Sequence, residues 1–228
     1  MALLLYGGGY YAPDNRSQAK NIVKMIDLDY KETRLNGCSY SYDTSSCMDK
    51  TMIDLSTCKV DEVNVTMQWI QVVPDRFFGR DLACMNQKVC TNVFTGEKFG
   101  SPLCCRRIDT KYKQMEAELF NLVPVVSSFV PRQDGKPFGE VKHLLGHVGE
   151  VKIGQTYIEP PERFKGDIAR VYLYMDERYG LSLSPAQRKV YEQWHRADAV
   201  DDRECAIAKS ITRIQKYPNR WIEAGCPK

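Results

Sequence analysis

The sequence predicts an α+β protein, disulfide-linked and folded as one domain over residues 1–228, and three observations predict it. Apolar residues recur at helical spacing in the last third, first at Ile168, Val171, Tyr172 and Met175. Residues 64–73 alternate in the manner of a strand with one buried face, and residues 131–157 carry the Gly and Pro punctuation of turns and short strands. Nine cysteines, Cys38, Cys47, Cys58, Cys84, Cys90, Cys104, Cys105, Cys205 and Cys226, lack the paired Cys-x2-Cys knuckles of zinc sites. Disulfides are the expectation, which implies an oxidising compartment, periplasmic or secreted, and an odd count leaves one sulfur free or bonded to another chain.

In chain order, residues 1–13 are expected to be irregular. The opening Met1-Ala2-Leu3-Leu4-Leu5-Tyr6 lacks both the basic flank and the apolar length of a signal peptide. Ala19, Ile22, Val23 and Ile26 predict an amphipathic helix after Asp14-Asn15 that ends near Asp27. From Cys38 to Lys59 neither period shows, as in a cross-linked loop or short irregular strands. Gln71 falls in phase with the apolar face of the strand at 64–73. Residues 79–104 read as a loop, and Thr110 opens a helix with Tyr112, Met115 and Leu119 on one side. That order suits a ββα finger whose second strand lies in the loop. Farther on, Asp167 is the expected N-cap and Gly180 the expected C′ residue of one helix. Ser184-Pro185-Ala186-Gln187 reads as a capping box with Pro at N1, ahead of Val190, Tyr191 and Trp194. Ile207, Ile211 and Ile214 mark a last helix.

The charge is +3, mild for a protein that neutralises phosphates, and the densest basic stretch holds Lys98, Arg106, Arg107, Lys111 and Lys113. These read first as a solvated face and second as a nucleic-acid or partner contact. His143 and His147 stand four apart, but Gly146 between them and the lack of an intervening carboxylate favour surface histidines over a metal pair, and His195 is expected to be exposed. Asp167 and Arg170 are expected to be structural, an N-cap and an ion pair tying the helix to its neighbours, and Tyr172, Tyr174, Tyr179, Tyr191 and Trp194 to pack the core. Asn64-Val65-Thr66 fits a glycosylation sequon, yet it falls inside the expected strand. No run approaches the length of a membrane span.

Several ordered runs resemble one family. They are Glu159-Pro160-Pro161, then Lys165-Gly166-Asp167-Ile168-Ala169-Arg170-Val171-Tyr172-Leu173-Tyr174-Met175, then Tyr179-Gly180-Leu181-Ser182-Leu183-Ser184, with Gln187, Trp194 and Glu204. Upstream are Met115-Glu116-Ala117-Glu118-Leu119-Phe120-Asn121-Leu122-Val123-Pro124, Val72-Val73-Pro74 with Phe78-Gly79, and Ala19-Lys20, Cys38, Asp54-Leu55 and Cys58. Together they resemble the bacterial endonuclease I family of periplasmic and secreted DNases with a ββα-metal, or His-Me, finger. The likeness is poor over about 127–157.

The resemblance implies a finger in which a Glu and an Asn hold one Mg²⁺, a His after the Glu deprotonates water, and an Arg steadies the phosphate. Here Ile70 stands at the Glu position and Gln71 at the His position. Phe120 replaces a second His beside the retained Asn121, Pro102 falls at the Arg, and Ser128 at a later Glu. Ile70 offers no oxygen and Gln71 has no proton affinity near neutral pH. The expectation is therefore an inactive relative with no catalytic residue, no cofactor and Asn121 as a vestigial metal position. Such a protein would work beside other envelope proteins, for example as a periplasmic subunit of a secretion or other envelope complex. Two alternatives stay open: a metal-dependent DNA/RNA endonuclease with a non-standard site, which alone would call for Mg²⁺ and could recruit His143, His147 or Arg132 to Asn121, and a non-cleaving nucleic-acid binder.

Overall fold

The structure, a computed structural model, describes residues 12–27, 32–33, 35, 38–43, 50–54, 56 and 66–227. It is a mixture of helices and short antiparallel strands around one buried cluster that runs from Ala19 to Ile222. Cys47, Cys58, residues 1–11, and Asn64 and Val65 of the sequon lie outside the described residues.

Helix α1 (Arg16–Asp27) starts where Asn15 Oδ1 accepts from the Gln18 N–H, and it buries Ala19, Val23 and Asp27. Strands β1 (Glu32–Thr33), β2 (Cys38–Asp43) and β3 (Lys50–Asp54) form an antiparallel sheet. The aperiodic stretch at 38–59 thus contains regular pairing between Cys38–Asp43 and Lys50–Asp54. Strand β4 (Met67–Gln71) pairs antiparallel with β7 (Leu122–Val126), matching Gln71 with Leu122 and Ile70 with Val123.

Between these two strands lies a segment that the sequence presents as loop and helix. It holds α2 (Asp75–Phe78), α3 (Ala83–Asn86), the hairpin β5 (Cys90–Thr91) and β6 (Lys98–Phe99), α4 (Pro102–Ile108) and α5 (Thr110–Glu116). Disulfides Cys84–Cys105 and Cys90–Cys104 fasten α3 and β5 to α4. Helix α5 is capped by Asp109 and ends before Leu119, which starts a 3-10 turn instead of continuing the helical face. The partner of β4 therefore comes after α5 and not from the loop at 79–104.

The next stretch opens with α6 (Val130–Gln133), a short helix where the punctuation predicts only turns and short strands, and then forms the expected short strands as the meander β8 (Leu144–Val148), β9 (Val151–Gly154) and β10 (Ile158–Glu159). Helix α7 (Lys165–Tyr179) is buried along nearly all its sides, so its stripe at 168, 171, 172 and 175 is only part of its buried surface. It begins at Lys165 without a side-chain cap. Asp167 therefore lies inside the first turn, accepting from Arg170 Nη2 at 3.0 Å. Gly180, at φ +64°, closes the helix as expected.

Helix α8 (Pro185–Ala197) has the expected capping box at Ser184 and Gln187, and α9 (Asp202–Gln215) has a second one at Asp201 and Glu204. Tyr172 of α7 stacks on Tyr191 of α8 with centroids 4.3 Å apart. Arg170 is fully buried; its Nε and Nη2 bridge both oxygens of Glu204, at 2.8 and 2.6 Å, and tie α7 to α9. Cys205–Cys226 joins α9 to the segment after α10 (Arg220–Glu223). Cys38 is also disulfide-bonded. No helix among the described residues is long and apolar enough to cross a membrane.

Candidate active site

The family's finger positions converge at the end of the paired strands β4 and β7. The Val72 N–H donates to the Asn121 carbonyl at 2.9 Å, which extends the ladder past Gln71. Asn121 is wholly buried, and its side chain staples the turn: Oδ1 accepts from the Val73 N–H at 2.6 Å and Nδ2 donates to the Val73 carbonyl at 3.0 Å. Gln71 is buried too, donating from Nε2 to the Glu116 carbonyl at 3.4 Å while its own carbonyl accepts from Gln133 Nε2. Ile70 and Phe120 both join the buried cluster, with Phe120 packed edge-on to Tyr174 at 5.0 Å. Pro102 occupies the first turn of α4 behind the Ser101 cap, where it can make no contact with a phosphate charge.

This donor set does not fit Mg²⁺. Ile70 has no ligand atom, and the Asn121 oxygen is enclosed and already accepts from Val73. A hard cation of this size needs open, mostly anionic oxygens with room for several waters. Among the described residues no group of three or more His, Cys, Asp or Glu is placed to hold a metal ion.

The turn before Asn121 is held by a different carboxylate. Glu118 is buried, accepting from Tyr174 and Tyr179 hydroxyls at 3.1 and 2.8 Å, from Gln215 Nε2 at 2.6 Å and from the Phe120 N–H. Burial first, then the Glu118 charge, pushes both tyrosines above the usual phenol value. They remain donors, so Glu118 is fully engaged as a structural acceptor.

Beside Gln71 lies a cluster that the sequence reading does not single out as a unit. Arg106 donates from Nε to the Glu116 carboxylate at 2.5 Å, and its Nη2 stands 3.9 Å from Asp75, which also accepts from the Tyr112 hydroxyl at 3.4 Å. The Arg106 side chain is 40% exposed and that of Asp75 23%, whereas Glu116 is buried. Partial burial opposes the Arg106 charge, but the Glu116 hydrogen bond and charge prevail and hold the guanidinium above its ordinary value. Burial, then the charges of Asp75 and Glu116, keeps Tyr112 protonated. The cluster thus offers a guanidinium and a carboxylate at the surface, backed by a buried carboxylate.

Of the basic stretch, Lys98, Arg107 and Lys111 are exposed and Lys113 is half-buried, while Arg106 turns inward to Glu116. His143 and His147 are exposed, on and beside β8, as expected. Both hydrogen-bond partners of the Asn121 side chain are backbone groups of Val73, so neither histidine nor Arg132 is recruited there in this arrangement. His195 departs from its expected exposure: it is half-buried edge-on to Trp221, with Nδ1 shielded from solvent. Burial, then the Arg170 charge, lowers its affinity for a proton. Asp75 and Glu116 escape sequence reading because they are 41 positions apart and meet only through Arg106. A signal did exist in Arg106 itself, whose place directly after Cys104-Cys105 fixes it next to two cross-links.

Residues 8–226 match the model of the family described as Endonuclease I. The chain is 31% identical over 166 residues to "Endonuclease-1" of Buchnera aphidicola subsp. Acyrthosiphon pisum (strain APS), an alignment that takes in 71% of this chain and 61% of that protein. Against "Extracellular deoxyribonuclease" of Aeromonas hydrophila it is 28% identical over 218 residues, 91% of this chain and 88% of the relative. A "Periplasmic deoxyribonuclease" of the same organism is 29% identical over 165 residues, covering 70% and 64%. These names overturn the expectation of a non-catalytic envelope component: the relatives carry nuclease names, and none is named as a subunit of an envelope assembly. With the β4–β7 strand pair, the central α7 and the cross-linked segment all inside one match from residue 8 to residue 226, the chain belongs to the endonuclease I family.

Proposed function

We propose that this protein is an endonuclease acting on DNA through a non-standard site, the Asp75–Arg106–Glu116 cluster beside Gln71. The observation that carries the reading is the match over residues 8–226 to a family whose relatives are named deoxyribonucleases. Formed disulfides fit the same relatives, which are named extracellular and periplasmic, and the protein is periplasmic or secreted.

Phosphodiester cleavage needs a cation against the non-bridging oxygens and an acceptor for a water proton. The exposed guanidinium of Arg106 can meet the phosphate in a bidentate fashion, while Glu116 keeps it aimed. Asp75, 3.9 Å from that guanidinium and in contact with solvent, is the carboxylate placed to take a proton from the water whose oxygen bonds to phosphorus, while the opposite P–O ester bond breaks and its oxygen leaves with a proton from solvent. Gln71 can orient a water but cannot deprotonate it. No step is assigned to a bound cation, since the finger positions do not fit one.

The test is single-turnover cleavage of a labelled oligonucleotide. Arg106→Ala and Asp75→Asn should each slow it by about 100-fold or more, and Gln71→Ala by less. Equal rates for Arg106→Ala and the unaltered protein would contradict the assignment.

A further inference from the structure

We propose that Phe94, at the tip of the β5–β6 hairpin, is a base-stacking residue that holds an unpaired nucleotide of the substrate strand. The choice of ligand rests on the nuclease reading; the geometry does not. Phe94 is 95% exposed and its neighbour Val93 75%. An aromatic ring left in water forgoes the burial that ordinarily stabilises it, and contact with a ligand would restore it.

The turn that presents it is fixed. Asn92 Oδ1 accepts from the Phe94 N–H at 2.9 Å and from the Thr95 N–H at 3.3 Å, in the manner of an Asx turn. The Asn92 N–H donates to the Glu97 carbonyl, and the Asn92 carbonyl accepts from the Gly96 N–H, both at 2.8 Å. Gly96 sits at φ +73°, a conformation that a side chain would strain. At its base the hairpin pairs Cys90 with Phe99 and is locked to α4 by Cys90–Cys104. The backbone beneath the ring is therefore ordered before any ligand arrives, which lowers the entropy cost of binding.

The surroundings supply charge. Lys88, Lys98 and Arg107 are exposed on the same cross-linked segment, with Glu97 as the acidic residue of the hairpin. Cys104, which fastens the hairpin, lies two positions before Arg106, so one rigid unit carries both the ring and the proposed phosphate contact. A stacking ring among backbone-tracking cations is how single strands are gripped without regard to sequence. A lipid surface is the weaker fit. The turn itself presents only Val93 and Phe94, the other exposed apolar side chains of the segment being Val89, Leu103 and Ile108, and one ring is the unit that one base requires.

The experiment is binding of a fluorescein-labelled single-stranded oligonucleotide of about 12 nucleotides, a length within the usual site size, in EDTA. Phe94→Ala should weaken it by about 5- to 100-fold, and Phe94→Tyr should keep it. Phe94→Trp should bind and show quenching of its added indole by the oligonucleotide. The inference is overturned if Phe94→Ala binds as tightly as the unaltered protein. It is overturned too if the indole of Phe94→Trp responds to phosphatidylglycerol vesicles and not to DNA. Binding that depends on Phe94 without any cleavage leaves this inference standing and removes the nuclease reading; cleavage that ignores Phe94 does the reverse.

Discussion

Asn121 shows how one residue can keep its identity and serve geometry. Its amide satisfies both backbone groups of Val73 in a place closed to water. Asn121→Ala would leave a buried N–H and a buried carbonyl unpaired, each costing roughly 1–3 kcal/mol. Urea unfolding should therefore show a loss of about 2–6 kcal/mol; a change near zero would mean that the staple adds nothing to stability. Ile70 makes the complementary case. Ile70→Glu would bury an unpaired carboxylate within the apolar cluster, and a loss of about 3 kcal/mol or more is expected by the same measurement. A well-tolerated glutamate would mean that the site is more open than its burial indicates. The sequence shows that these positions differ from the family pattern, but it cannot show that the Asn121 oxygen is spoken for, because a backbone partner leaves no mark in a string of side chains.

At the scale of elements, the interface between α1 and α9 is sensitive to pH. Asp27, the last residue of α1, is buried, and burial pushes its carboxyl up to about 7 even though Arg203 Nη2, 3.4 Å from its Oδ1, pulls the other way. With the folded value above the unfolded one, the native state binds the extra proton, so this group favours folding below pH 4 and progressively less as pH rises through 7. Stability should fall between pH 5 and pH 8 by an amount on the order of a few kcal/mol, and Asp27→Asn should flatten that fall. Parallel pH profiles of the two proteins would refute the assignment. The C-terminal helices were legible because caps and periodicity are local: Ser184 with Gln187 and Gly180 act within a few residues. The first turn of α7 was misread because Asp167 faces Arg170 instead of the helix end. The four-residue helices α2 and α3 were not legible at all, since cross-links and turns hold pieces too short to show a period.

For the molecule as a whole, cross-links and chemistry meet in the segment between β4 and β7. Seven of the nine cysteines are disulfide-bonded among the described residues, and Cys38 needs an eighth as its partner, so thiol counting on denatured, oxidised protein should find at most one. A higher count would overturn both the pairing and the compartment. Reduction should loosen the hairpin and α4 first, with each lost cross-link costing roughly 2–4 kcal/mol. It should also unseat Arg106, which follows Cys104-Cys105 directly. Family and fold were both legible from ordered runs such as Met115–Pro124, whereas the charged cluster was not, being assembled from Asp75, Arg106 and Glu116 only when the chain folds. Cleavage is expected to persist although the finger's Glu and His positions hold Ile70 and Gln71. The most direct test is the rate at which purified, oxidised protein nicks supercoiled plasmid in Mg²⁺ or Mn²⁺, measured beside Arg106→Ala. Nicking by the unaltered protein and a loss of about 100-fold or more in the variant are expected; no nicking by the unaltered protein would contradict the nuclease assignment.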